Sequence, residues 1–258
     1  MKTEFYVQYD LYDTTALEDA VETSADNADF GDLSLVKANS PPSRYGTLEH
    51  NFFVLDGVAG EFPDLPEDLV FFSAVMSDDN GDFLDPPVLR IDFTEKHTSV
   101  GVTLHFSEDW PLQIELRWYD LTGSLKTRKV FYPDKLVYFC ENQVEEYGRI
   151  DIVFQKAMPN RYAKLYYIEY GTTFTWGPEV VKTAKLVNDT DPISDKIKTD
   201  KLTFDFVDKN DDFNIGNTEG LHKTFQKKQR MFPYEVVKGE KKVLGVSSLD
   251  EDSTTKNI

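Results

Sequence analysis

The chain has 258 residues, of which 40% are hydrophobic and 14% aromatic, and a formal net charge of −18. This composition is typical of a packed globular protein and excludes an intrinsically disordered one. The acidic balance repels phosphate backbones and anionic lipid, so it disfavours nucleic-acid and membrane partners.

The N-terminal sequence MKTEFYVQYD lacks the apolar core of a signal peptide, and no run reaches the roughly 20 apolar residues that span a bilayer. We therefore expect a protein made in the cytosol. Cys140 is the single cysteine and lies in the apolar run LVYFC, so it cannot form an internal disulfide. It is predicted to be a buried thiol.

Residues 2–12 alternate aromatic and polar side chains, which predicts an opening strand. An acidic connector follows, with one helical turn around residues 16–21. A short strand is expected at 51–55, and the apolar run LVFFSAVM at 69–76 has the length of a core strand.

The stretch from residue 88 to residue 176 is the centre of the predicted fold. Its apolar and polar residues alternate in five segments, and the alternation is clearest in LQIELRWY, where Leu116 and Trp118 share one face. One buried face and one wet face are typical of antiparallel sheets. The segments are VLRIDF (88–93), VGVTLHF (100–106), LQIELRWY (112–119), RIDIVF (149–154) and KLYYIEYG (164–171).

The sequence TTFTWG at 172–177 is expected to close this sandwich, and a turn-rich junction follows it. Further strands are predicted in KLTFDFV, MFPYEVV and KKVLGVSSL. We therefore predict an acidic N-terminal segment at 1–60, a β-sandwich domain at 61–186 and a small β-rich unit at 187–258 that is short for an independent domain.

Two patterns suggest ligand sites. Asp78, Asn80 and Asp82 offer oxygens at alternate positions, as calcium prefers, although an Asx-rich turn explains the same residues. Trp110 stands beside acidic residues in a turn, and with Arg117 and Trp176 it forms a candidate carbohydrate-binding set. The alternative for Trp110 is a turn aromatic that covers the end of the sandwich.

Catalytic signatures are absent from the sequence. There is no phosphate-binding loop, HExxH, GxSxG or CxxC motif, and the spacing of His97 and His105 is a poor match for zinc ligands. These histidines are predicted to lie on the surface or at a rim. We therefore expect a protein that is not an enzyme and needs no cofactor apart from a possible structural calcium.

Several phrases of the sequence, in the same order, resemble a family of phage and prophage tail proteins of Gram-positive hosts. They cover most of residues 44–208. The matching phrases are RYGTLEHNFFVLDG (44–57), SDDNGDF (77–83), PPVLRIDFTEKHTSVGVTLHF (86–106), PNRYAKLYYIEYG (159–171) and DPISDKIKTDKLTFDFVD (191–208).

The resemblance implies an all-β chain with an antiparallel, galactose-binding-like jelly-roll sandwich, followed by the start of a β-rich tail-hub domain. It also implies a non-enzymatic structural component of the virion tail, at the tail tip or baseplate. Its expected partners are other tail proteins, a second copy of the chain and a host-surface glycan.

The alternative function is a carbohydrate-binding module that recognises cell-surface or cell-wall glycans. A glycoside hydrolase fragment with a carboxylate pair is a third hypothesis.

Overall fold

The computed structural model describes residues 3–26, 45–46, 61–62, 71–106, 109–187, 201–208, 216–217, 220–226, 229–245 and 247–248. Strands make up most of these residues, and every strand pairing among them is antiparallel. The predicted all-β, antiparallel fold class is confirmed.

Helical structure in the described part of the chain consists of α1 (Ala16–Asp19) and a 3₁₀ helix (Leu221–Thr224). The strands, in chain order, are β1 (Thr3–Tyr12), β2 (Val21–Thr23), β3 (Tyr45–Gly46), β4 (Glu61–Phe62), β5 (Phe71–Met76), β6 (Val88–His105), β7 (Gln113–Tyr119), β8 (Leu125–Phe131), β9 (Val137–Lys156), β10 (Tyr162–Leu165), β11 (Tyr167–Glu169), β12 (Gly171–Trp176), β13 (Val181–Val187), β14 (Lys201–Phe206), β15 (Arg230–Val237), β16 (Glu240–Val243) and β17 (Ser247–Ser248).

The chain folds into two compact units. The continuous unit is Thr15–Tyr170, and the discontinuous unit combines Met1–Thr14 with Gly171–Ile258. The limits of these units differ from the predicted domain boundaries after residues 60 and 186. Those domain boundaries stay a prediction.

A six-stranded sheet dominates the continuous unit. Its order is β11-β6-β9-β7-β8, and β2 pairs with β6. Strand β7 shows why this sheet forms, because its residues Ile114, Leu116 and Trp118 lie on one face and are fully buried. The prediction that Leu116 and Trp118 share one face is confirmed, and that face belongs to the core.

The two central strands are longer than the sequence predicts. β6 joins the segments at 88–93 and 100–106, and β9 extends the segment at 149–154 back to Val137. The polar residues between the β6 segments form no hairpin, because three register shifts between Asp92 and Gly101 absorb them as bulges in the ladder with β9. The prediction of separate strands there is wrong.

The strands β5 and β10 pair as a second layer. The ring of Phe71 on β5 stacks on the ring of Phe154 on β9, with centroids 5.2 Å apart, so this layer packs against the large sheet. The core between them includes Leu165, Tyr147 and the fully buried Cys140. Burial raises the pKa of the Cys140 thiol, and the prediction of a buried thiol is confirmed.

The segment predicted as one strand at 164–171 is divided between the two layers. β10 pairs with β5, whereas β11 pairs with β6, where Ile168 lies opposite Leu104. The chain therefore changes sheet at Tyr166, whose N–H donates to the carbonyl of His105 at 2.8 Å.

The discontinuous unit contains a second antiparallel sheet, of order β12-β1-β15-β16, in which β17 also pairs with β15. Strand β1 confirms the predicted opening strand. The expectation that residues 172–177 close the sandwich is wrong, because β12 pairs with β1 from Val7↔Trp176 to Tyr12↔Gly171.

The strand expected at 51–55 lies outside the described residues. No described helix has the length and apolar character that crossing a membrane requires.

Candidate functional site

A shallow depression lies where the chain enters β7 and leaves β9. It contains one of the predicted sugar-contact residues, Trp110, which is half-buried and packs against the core. The depression is lined by Asp109, Trp110, Pro111, Ala157, Met158, Arg161, Tyr162, Ala163 and Lys164.

An ion pair fixes the polar side of the depression. The Nε of Arg161 donates to Oδ2 of Asp109 at 2.9 Å, and the two side chains are only 13% and 24% exposed. Arg161 also donates through Nη1 to the carbonyl of Asn160 at 3.3 Å. Charge-assisted bonds of this kind are strong and directional, so the guanidinium is held in place before any ligand arrives.

The loop that carries Arg161 is fastened by Ser77, which is 3% exposed. The N–H of Ser77 donates to the carbonyl of Arg161 at 2.9 Å, and its hydroxyl donates to the carbonyl of Met158 at 2.7 Å. The N–H of Arg161 returns a bond to the Ser77 hydroxyl oxygen at 3.1 Å. These three bonds join the end of β5 to the loop after β9.

Tyr162 supplies a second ring to the depression and rests on buried Phe72, with ring centroids 4.9 Å apart. The Nζ of Lys164 lies 5.9 Å from the centroid of the same Phe72 ring. The aromatic side of the depression is thus built on a buried layer, and its shape is set by packing.

The predicted calcium ligands lie next to this loop and form an Asx turn. Oδ1 of Asp78 accepts the N–H groups of Asn80 and Asp82 at 2.8 and 2.9 Å. The bonds from Asp82 and then Asn80 lower the pKa of the Asp78 carboxyl. Asp82 pairs with Lys156 at 3.1 Å. The calcium set stays a prediction.

No group of three or more His, Cys, Asp or Glu residues that could hold a metal ion occurs in the described part of the chain.

Gly81 explains how tightly this turn is joined to the loop after β9. Its φ is +83°, and a Cβ there would lie 2.2 Å from the carbonyl oxygen of Ala157. On the other side, Nδ2 of Asn160 donates to Asp79 at 3.0 Å. The turn at 78–82 therefore stabilises the loop after β9, which lines part of the depression.

Arg117, the second predicted sugar-contact residue, is absent from the residues that line the depression. It lies on β7 and binds Glu115 through two bonds of 3.0 and 3.1 Å. The hydrogen bond from Arg117 lowers the pKa of the Glu115 carboxyl.

Trp176, the third predicted residue, belongs to the discontinuous unit. Its ring stacks on Phe206 at 5.0 Å and on Tyr9 at 5.6 Å. The predicted trio is therefore divided between a depression, a sheet face and an aromatic cluster.

The arginine beside Trp110 is Arg161, which the sequence-based prediction missed. The sequence places Arg161 and Trp110 about 50 residues apart, and only the approach of the loop after β9 to the start of β7 brings them together. Tyr162, the next residue, was missed for the same reason. The sequence signal that could have identified both residues is an arginine followed by an aromatic residue directly after a Pro-Asn turn.

The two histidines lie apart and serve different contacts. His97 is 3% exposed and its Nε2 lies 2.9 Å from Oδ2 of Asp19, so its prediction as a surface or rim residue is wrong. His105 is half-buried and lies 2.9 Å from Glu169.

No protein-family model and no curated protein matches the chain. Among solved structures, similarity is found to the family 32 carbohydrate-binding module of C. perfringens NanJ in complex with galactose, with 8% identity, a TM-score of 0.39, and 63% of this chain and 97% of that chain covered.

A chitosan-binding module of a chitosanase/glucanase from Paenibacillus sp. IK-5 has 11% identity, a TM-score of 0.37 and coverages of 64% and 98%. The lectin domain of lectinolysin complexed with Lewis B antigen has 9% identity, a TM-score of 0.37 and coverages of 61% and 96%. At these values the similarity carries no conclusion about function, which must come from the residues themselves.

Proposed function

We propose that the continuous unit is a carbohydrate-binding module and that its ligand binds in the depression beside Trp110. One observation carries the proposal: two aromatic rings, Trp110 and Tyr162, line the same depression as the fixed pair of Arg161 and Asp109. A sugar ring presents an apolar C–H surface and a rim of hydroxyl groups. Aromatic rings fit the first, and a guanidinium beside a carboxylate fits the second.

The depression encloses only about 10 Å³, room for about one water molecule, whereas small-molecule sites usually hold roughly 300–1,000 Å³. We therefore expect a sugar to lie across Trp110 at the protein surface, as one or two units at the end of a glycan.

The test is a glycan-array screen of the purified chain, followed by calorimetric titration of the best ligand against Trp110→Ala. We expect the variant to lose at least tenfold in affinity, equivalent to about 1.4 kcal/mol. Tyr132→Ala is the matched control, because Tyr132 is a 64% exposed aromatic that is absent from the lining of the depression. No binding of any glycan at millimolar concentration by the wild-type chain would contradict the proposal.

A structural role in a phage tail rests on the resemblance of the sequence alone, and none of the structures named above is described as a tail protein. We rank it second. Proteomics of induced phage particles tests this structural role, and particles that lack the chain would contradict it.

A further inference from the structure

A row of charged side chains crosses one face of the six-stranded sheet, on four neighbouring strands. Arg128 on β8 lies opposite Arg117 on β7, Arg117 lies opposite Asp151 on β9, and Asp151 lies opposite Arg90 on β6. Directly opposed residues point to the same face of a sheet. We call Arg90, Arg117, Arg128 and Arg149 the arginine face.

Two buried carboxylates hold the arginine face in place. Glu115 is 6% exposed, pairs with Arg117 and accepts a bond from Gln155 at 2.7 Å. Asp151 is 4% exposed, and its Oδ1 lies 3.2 Å from Nε of Arg90 and 3.3 Å from Nε of Arg149. These pairs hold the guanidinium groups on this face before a ligand binds, which lowers the entropic cost of binding.

Three of the four arginine side chains stay accessible although their carboxylate partners are buried, and Arg149 is only 21% exposed. The side chains of Arg128 and Arg90 are 69% and 48% exposed, and that of Arg117 is 34% exposed. A guanidinium has five N–H groups, so one that pairs through Nε can still donate through its two terminal nitrogens.

The local charge differs from that of the whole chain. The four arginines lie beside three carboxylates: the buried Glu115 and Asp151, and Asp92, which lies opposite Arg149. This surface therefore has a surplus of one positive charge, in a protein of net charge −18. Repulsion from the remaining acidic surface is largely screened beyond about 8 Å at physiological ionic strength. The arginine face is therefore a local site for an anion.

We infer that the arginine face binds a linear acidic polysaccharide with one carboxylate on each sugar unit. Neighbouring strands lie about 4.8 Å apart, a spacing comparable with one sugar unit of an extended chain, so a polymer that runs across the strands meets Arg128 on β8, Arg117 on β7 and, two strands further on, Arg90 on β6. On β9, between them, the row is occupied by the buried Asp151, and Arg149 lies two residues along the same face. Guanidinium groups match carboxylates in a bidentate geometry, as the pair of Arg117 and Glu115 shows within the protein. The arginine face shares no residue with the depression beside Trp110.

The test compares the affinity of the full chain for polygalacturonate and for the same polymer with its carboxylates methyl-esterified. We expect binding of the acidic polymer only, weakening as salt is raised. The double variant Arg90→Gln/Arg128→Gln should weaken this binding about tenfold. Arg117 is left in place because its loss would leave the buried Glu115 without its main partner.

The matched control, Lys182→Gln/Lys185→Gln, removes the same charge from two exposed residues of β13 and should leave the affinity unchanged. Trp110→Ala should also leave it unchanged, which separates this site from the proposed sugar site. Equal binding of both polymers, equal effects of the two double variants, or stronger binding of polyphosphate than of polygalacturonate would overturn the inference.

Discussion

Gly101 shows how a single residue allows the central strands to meet. It lies in the bulged part of β6 with φ of +145°, and a Cβ there would lie 2.2 Å from the carbonyl oxygen of Cys140 on β9. Only glycine tolerates both conditions. The bulge that joins the two halves of β6 therefore depends on the absence of a side chain at this position.

We expect Gly101→Ala to lower the free energy of unfolding by more than about 3 kcal/mol, because backbone strain and a steric clash add together. Gly123→Ala is the matched control: its φ is +84°, but no atom lies within 4 Å of the added Cβ. Strain alone should cost about 1–2 kcal/mol there. Urea unfolding measures both, and equal losses would show that the approach to Cys140 carries no cost.

Part of the lining of the depression could be predicted from residue types alone. Trp110 was predicted as a sugar contact because it stands beside acidic residues in a turn, and it lies in the lining of the depression, although its contact with a sugar stays a prediction. Arg117 was chosen by proximity in sequence, yet its partner is a residue on its own strand. The pairing of Arg161 with Asp109 is a tertiary contact that no local pattern encodes.

The short helix α1 shows how one element is fastened to the sheet. The carboxylate of Asp19 accepts the N–H groups of Thr94 and Glu95, both at 2.9 Å, and also the hydroxyl of Thr94. Nε2 of His97 lies 2.9 Å from the same carboxylate. Burial alone would raise the pKa of Asp19, but these bonds more than offset it and hold the pKa well below its usual range.

We expect Asp19→Asn to lower the free energy of unfolding by about 2 kcal/mol at neutral pH. Because the pKa of Asp19 is depressed in the folded state, its contribution is complete above the unfolded-state pKa of about 4 and is lost as the pH falls. The difference between wild type and variant should therefore shrink below pH 4 in thermal unfolding.

Glu18→Gln, which changes an exposed carboxylate on the same helix, is the control and should change little at any pH. A stability difference for Asp19→Asn that persists unchanged at low pH would argue against the charged network.

The strands were more predictable than their connections. Alternation of apolar and polar residues identifies β1, β7 and β14, whose two faces differ in exposure, whereas β5 is identified by the length of its apolar run. β8 was missed, since its sequence LKTRKVF is exposed at nearly every position and has no apolar face to detect. The sheet change at Tyr166 was also missed, because a strand that changes partner keeps the same period on both sides.

At the scale of the whole molecule, each unit has its own sheet and its own buried aromatic residues. The continuous unit is a single stretch of chain, and its core cluster lies within Thr15–Tyr170. The predicted boundary after residue 186 follows from a turn-rich junction in the sequence, and the two compact units of the structure meet in the chain between Tyr170 and Gly171.

We expect residues 15–170, expressed alone, to fold cooperatively, because the fragment contains all the strands of the six-stranded sheet and the second layer. Near-ultraviolet circular dichroism and urea unfolding measure this, with the buried Trp118 as an internal probe. A fragment that ends at 186 is the comparison and should be no more stable. Failure of the shorter fragment alone to fold would show that β12 belongs to its core.

Tyr12 and Gly171 are direct partners in the ladder between β1 and β12, so the chain leaves that sheet and re-enters it at one point. The residues between Tyr12 and Gly171 therefore connect β1 to β12 in the way that the loop of a hairpin connects its two strands. Recombination with crossovers near codons 14 and 171 can therefore exchange the continuous unit for another domain in one genetic step, and the recipient ladder keeps every backbone hydrogen bond.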